Sequence, residues 1–247
     1  FVDFYTSDNE AYENIFVDTL TNENVTIENI KDMVGRANES DISDHLIVYI
    51  AGHGLLDANL DYFLATYDVD FNSPNSRGLS YAYLEEIVDE IPARTKTIFL
   101  DACHSGELDK EDVVVVDEEV SSSNDISFRS VGSKVKTKSG IGYANSFALM
   151  KNMFTDLREQ SGATIIASAG GAEFAYEGDK WNNGVFTYAM LEGLKSGAAD
   201  LDGDKKVMLS ELQYYLQLEV SNLTSGHQKP ISRYENVTND YVFWEIK

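Results

Sequence analysis

Thr97-Ile98-Phe99-Leu100-Asp101-Ala102-Cys103-His104-Ser105-Gly106 is an apolar run that stops at the single cysteine of the chain. A second run, Leu46-Ile47-Val48-Tyr49-Ile50-Ala51-Gly52, stops at His53-Gly54. Short runs rich in β-branched and aromatic residues read as neighbouring buried strands of a parallel sheet. Each then delivers a reactive side chain to the carboxyl edge, where open α/β sheets hold their sites. Taken alone, a cysteine after a strand is commonly a small buried hydrophobe. Cysteine attacks as the thiolate, however, and needs a base or cation nearby, and His53 meets that need. The pairing of two such strands predicts a cysteine–histidine hydrolase. Gly54 leaves backbone open beside the histidine, so its N–H and that of Cys103 are candidate oxyanion donors.

At 247 residues and 43% hydrophobic content, the chain can bury one sizeable core, and a single domain is expected. No apolar stretch reaches the length of a membrane span, and the first residues lack the pattern of a signal peptide. One cysteine excludes an internal disulfide and a multi-cysteine zinc cluster and suits a reducing, cytoplasmic setting. The 42 acidic against 19 basic residues give a net charge of −23. Such a surface repels nucleic acid and anionic lipid and attracts cationic substrates.

Along the chain, residues 7–20 read as helix, 24–26 as a short strand, and 27–34 as an amphipathic helix with Thr26 as its N-cap. A helix over 80–90 leads into the Cys103 strand. Residues 107–140 break the rhythm, passing from an acidic segment to serines and then to Arg129, Lys134, Lys136 and Lys138, so they read as a linker or insertion. A helix over 145–159, a strand over 163–168, a helix over 186–194 and a strand over 241–246 follow. The alternation of strand and helix is α/β.

Tyr49-Ile50-Ala51-Gly52-His53-Gly54 and Asp101-Ala102-Cys103-His104-Ser105-Gly106 resemble the two signature blocks of the caspase-like cysteine peptidases, family C14, which include caspases, metacaspases and orthocaspases. The fifty positions from His53 to Cys103 match the spacing in caspases. Tyr62-Phe63-Leu64 with Asp68 and Asp70, Gly78-Leu79-Ser80, and Gly184-Val185-Phe186-Thr187-Tyr188 extend the likeness over residues 20–247. The resemblance implies a three-layer α-β-α sandwich with a mostly parallel six-stranded sheet. It also implies a large-subunit-like part over 1–106, a linker over 107–140 and a small-subunit-like part over 141–247. His53 is then the base, Cys103 the nucleophile, and Gly54 and Cys103 the oxyanion hole. The family's first strand precedes residue 20, where this sequence reads as helix, so that strand is expected to be missing from the chain. An inactive caspase-like binding or scaffold module is the alternative to a peptidase.

Caspases that cut after aspartate carry glutamine two positions before the cysteine; here that position is Asp101, as in metacaspases and orthocaspases. A carboxylate there repels aspartate and pairs with arginine or lysine. The expected substrates are therefore peptides or proteins with Arg or Lys at the cleaved position. Capping of a local turn is the plain alternative for Asp101. Ser168, Glu173 and Glu177 occupy the place of the family's substrate-lining loop. Arg129, Lys134, Lys136 and Lys138 are candidate self-cleavage positions, because an acidic pocket accepts them; a solvated basic loop is the alternative.

No cofactor is needed for this chemistry. Asp200, Asp202, Asp204, Lys206 and Glu211 nevertheless fall at positions 1, 3, 5, 7 and 12 of an EF-hand-like loop, which suggests calcium. Lys205 stands where that loop ordinarily has glycine, and the rival expectation is an acidic turn capping a helix that begins near Ser210. His104 is expected to diverge from the nucleophile, and His45 and His227 read as surface histidines.

Overall fold

The computed structural model describes residues 2–8, 11–57, 59, 61–104, 113–114, 127–128, 136–137, 163–169, 176–178, 181, 183–234 and 240–246. Its central sheet contains β1 (His45–Leu56), β2 (Tyr62–Leu64), β3 (Leu79–Ser80), β4 (Thr95–His104), β8 (Ala163–Ala167) and β12 (Ile231–Tyr234). Their order is β12-β8-β4-β1-β2-β3. β1, β4 and β8 run parallel, and antiparallel strands complete both edges. Short pairs join β5 (Val113–Val114) to β7 (Lys136–Thr137), and β6 (Ser127–Phe128) and β10 (Asn183–Gly184) to β9 (Tyr176–Gly178).

Helices cover both faces, which gives the expected three-layer α-β-α arrangement. α2 (Ile27–Ala37) and α3 (Tyr81–Glu90) lie on one side, where Ile27, Ile30, Leu84 and Val88 pack against Ile98, Leu100 and Ile165. α4 (Val185–Ser196) and α5 (Leu209–Leu223) lie on the other, where Phe186, Met190, Leu212 and Leu216 pack against Phe99 and Ile166. The period-two alternation of β4 sends neighbouring residues to different cores. α2 begins at the expected cap, with Thr26 Oγ1 accepting from the Asn29 N–H (3.3 Å); Ser80 Oγ likewise accepts from Tyr83 N–H (3.2 Å) at the start of α3. Buried Lys96 donates to the Val88 carbonyl at 2.6 Å, placing a cation at the α3 C-terminus, where the helix dipole favours it.

α5 and α4 approach closely because residue 193 is glycine: a Cβ there would meet the Tyr215 ring at 2.3 Å. Between the two helices and the chain end, β11 (Lys206–Met208) pairs with β13 (Val242–Glu245). Phe243 meets Phe99 edge-on at 5.6 Å, and Trp244 stacks on Phe4 of α1 (Val2–Asp8) at 4.5 Å.

Three expectations are corrected. Helix covers residues 2–8, whereas 11–20 are irregular. Tyr12 reaches His45 and packs on the α4/α5 core, while Asp18 pairs with Arg36 of α2 at 2.9 Å on the other face. Joining the two faces over so few residues calls for extended chain, since a helix advances only about 1.5 Å per residue. The 24–26 strand is replaced by a 3-10 turn at Asn22–Asn24, after which the Val25 carbonyl accepts from Tyr67 N–H (2.8 Å).

His45 is the third correction: its ring is half-buried among Tyr12, Thr97 and Tyr241, whereas His227 is exposed as expected. Tyr12 Oη lies 2.5 Å from Nδ1, Nε2 lies 3.3 Å from Thr97 Oγ1, and Thr97 in turn bonds the Tyr241 hydroxyl. The Tyr241 ring meets the imidazole edge-on at 4.2 Å. Burial lowers the His45 pKa from 6.5 to about 3, so the folded protein holds the ring neutral. The unfolded chain therefore takes up a proton at this residue between pH 6.5 and about 3 and the native one does not, so stability falls as pH drops through that window. Denaturant titrations across it should show a steep loss for the wild type and a shallower one for His45→Phe, even though the variant is less stable at pH 7.

Candidate active site

The site is built on the parallel ladder between β1 and β4, which runs in register from His45↔Thr95 to Gly54↔His104. His53 is directly beside Cys103, near the carboxyl ends of both strands. The His53 ring is half-buried with Nδ1 sealed from solvent, and the His53 carbonyl accepts from Ala65 N–H at 2.8 Å as β1 turns towards β2. Cys103 and His104 are described by their backbone, as the last two residues of β4.

Gly54 is buried between two strands, paired with His104 on one side and Leu64 on the other. The Tyr62 ring lies across it: a Cβ at residue 54 would meet Oη at 1.9 Å and Cζ at 2.4 Å. The glycine next to the histidine is thus demanded by packing.

Asp101 is fully buried on β4, two residues before Cys103. Its Oδ2 accepts from Thr187 Oγ1 (2.5 Å) in the first turn of α4, and Thr187 Oγ1 also bonds the Tyr49 hydroxyl from β1. A carboxylate at a helix N-terminus is favoured by the unsatisfied N–H groups there. Ser168 follows β8 one step beyond the Leu100↔Ala167 pair, so it stands beside Asp101; its N–H donates to the Leu100 carbonyl at 2.8 Å. Ser168 is fully buried, and its hydroxyl has no hydrogen-bond partner among the described residues.

Buried Gln228 spans the two ends of residues 169–175. Its Nε2 donates to the Ser168 carbonyl and its Oε1 accepts from Tyr176 N–H, both at 2.8 Å. Within that stretch Glu173 lies outside the described residues, and Glu177 is described by its backbone, paired with Gly184 and Ser127. Of the basic linker residues, Arg129, Lys134 and Lys138 lie outside the described residues, and the backbone of Lys136 is in β7. Tyr49 and Thr187 were quoted only within stretches that resemble the family, without a role of their own, and Gln228 reads locally as an ordinary loop residue.

Away from this edge, oxygens of Asp200, Asp202 and Asp204 lie within 4.8 Å of one another, a hard-oxygen set that fits calcium. Asp200 also accepts from Gly203 and Lys205 N–H at 2.8 and 2.9 Å. Lys205 takes the left-handed conformation (φ 69°) that glycine usually supplies. Glu211 instead turns both oxygens to backbone, accepting from Leu201, Asp202 and Met208 N–H at 2.8, 3.2 and 2.9 Å. That is the helix-capping arrangement, at the start of α5. The Lys206 ammonium lies 3.7 Å from Glu245.

A family model described as the caspase domain of peptidase C14 matches residues 7–242. A crystal structure of a protein from Geobacter sulfurreducens superposes with a TM-score of 0.55 at 16% identity, over 90% of this chain and 78% of that one. At that identity the likeness speaks for the fold. No curated protein matches the chain.

Gly54→Ala should lower stability by about 1–3 kcal/mol, the usual range for overpacking a filled site. A shift in denaturant midpoint measures it, and adding Tyr62→Leu should recover part of the loss.

Proposed function

Because the chain belongs to the caspase-domain family of peptidase C14, we propose that it is a cysteine endopeptidase that cuts peptide bonds after arginine or lysine. The observation that carries this reading is the register that sets His53 beside Cys103 at the carboxyl edge of two parallel strands. The Cys103 thiolate attacks the scissile carbonyl carbon, and the N–H groups of Gly54 and Cys103 receive the oxyanion. As the carbon–nitrogen bond breaks, protonated His53 gives its proton to the leaving amine. Water then adds to the thioester while His53 takes its proton, and the carboxylic acid and the thiolate are released.

Specificity rests on Asp101 and Ser168. A buried hydroxyl without a partner costs about 1–3 kcal/mol, and an arriving N–H donor removes that penalty. A cationic side chain supplies such donors together with the charge that Asp101 attracts, and an aspartate supplies neither. Glu173 and Glu177 would add negative charge to the same loop. The aspartate two positions before Cys103 supports a reading on the metacaspase and orthocaspase side of the family. Residues 1–106 and 141–247 then act as large- and small-subunit-like parts, and Arg129, Lys134, Lys136 and Lys138 in the linker are substrates of the same pocket.

Active-site labelling tests the reading. An arginyl peptide electrophile should label Cys103 far faster than an aspartyl one, and Cys103→Ala should abolish both labelling and turnover. Fragments ending at the four linker residues should form in the wild type and not in Cys103→Ala. An intact, folded protein that neither labels nor cleaves would establish the inactive binding module instead.

Calcium is not a reactant in these steps. Bound by Asp200, Asp202 and Asp204, it would brace the turn between α4 and α5. Calorimetry should show calcium heat that Asp200→Ala eliminates; absence of heat leaves the loop as a helix cap.

A further inference from the structure

We propose that Thr187, itself held by Tyr49, is the positioning residue that fixes the plane of the Asp101 carboxylate and thereby makes the pocket prefer arginine to lysine. The proposal deepens the reading of Asp101 as the group that receives a cationic side chain, and rests on it.

Thr187 Oγ1 lies against both Asp101 Oδ2 and the Tyr49 hydroxyl. The single threonine hydroxyl proton is donated to Asp101 Oδ2. The Tyr49 hydroxyl must then donate to Thr187. The result is a directed chain, Tyr49 to Thr187 to Asp101, that links β1, α4 and β4. Each member is fixed by its own element: Tyr49 pairs with Phe99 in the central ladder, and Thr187 is buried in the first turn of a helix whose Val185, Phe186 and Ala189 are fully buried.

The Thr187 hydroxyl, donating to Oδ2 from the helix packed across the sheet, restrains rotation of the Asp101 carboxylate about its Cβ–Cγ bond. Orientation matters unequally to the two basic side chains. A guanidinium is planar and pairs with a carboxylate in a fixed two-bond geometry, whereas an ammonium is a compact charge with rotatable donors. Loss of the Thr187 hydroxyl should therefore penalise arginine more than lysine.

The test is a pair of matched peptide substrates, one with arginine and one with lysine at the cleaved position, assayed with wild type, Thr187→Val, Thr187→Ser and Tyr49→Phe. In Thr187→Val, KM for the arginyl substrate should rise about tenfold and for the lysyl substrate by no more than about threefold, with kcat within about twofold for both. Thr187→Ser should restore the arginine preference, and Tyr49→Phe should give an intermediate loss. Equal effects on both substrates, or a change in kcat alone, would overturn the positioning role while leaving Arg/Lys cleavage intact. If Thr187→Val does not fold, Tyr49→Phe decides: an unchanged arginine-to-lysine ratio there overturns the proposal. A wild type that cuts after neither residue refutes the underlying reading of Asp101 instead.

Discussion

The parallel ladder between β1 and β4 is the constraint on which the remaining geometry depends. Because side chains alternate along a strand, a slip of one residue would exchange faces along the whole element. Phe99 would leave the α4/α5 core, and Ile98 and Leu100 would leave the α2/α3 core, at a cost set by burial on both sides of the sheet. The same slip would set His53 beside Ala102 or His104. The apolar residues therefore hold the register, and the register determines which polar residues meet at the carboxyl edge.

The sheet face towards α4 and α5 carries two buried polar groups of different character. Near the start of β1 and β4, Tyr12, His45, Thr97 and Tyr241 form a connected network with an aromatic edge contact. Burial holds the histidine neutral there and raises the pKa of both tyrosines, so the network stays uncharged near neutral pH. At the opposite ends of the strands lie Asp101 and Ser168, the latter with a hydroxyl that has no partner among the described residues. Gln228, which bonds Thr224 just past the end of α5, holds the Ser168 carbonyl and the Tyr176 N–H at this edge.

The acidic loop at 200–211 follows the same physics at the surface. Its carboxylates are caps for backbone N–H groups, and the eighth residue, Val207, is fully buried where β11 pairs with β13. The loop is therefore a shaped connection between α4 and α5 whether or not a cation joins it.

The sequence by itself determined the elements whose signal is local. Apolar runs marked β1, β4 and β8, a threonine N-cap marked α2, and the placement of His53 and Cys103 at the ends of their strands followed from those runs. Tertiary structure alone decided the rest, because the deciding partners are remote in the chain. Residues 11–20 carry helical spacing, yet contacts to His45 and Arg36 on opposite faces draw them out. His45 resembles a surface residue until Tyr241 and Thr97 close over it. Thr187 reads as one more residue of an apolar helix, and becomes a donor to Asp101 only when α4 packs across the sheet. Local patterns encode where a backbone goes, but the burial and pairing of a polar group depend on what the rest of the fold brings against it.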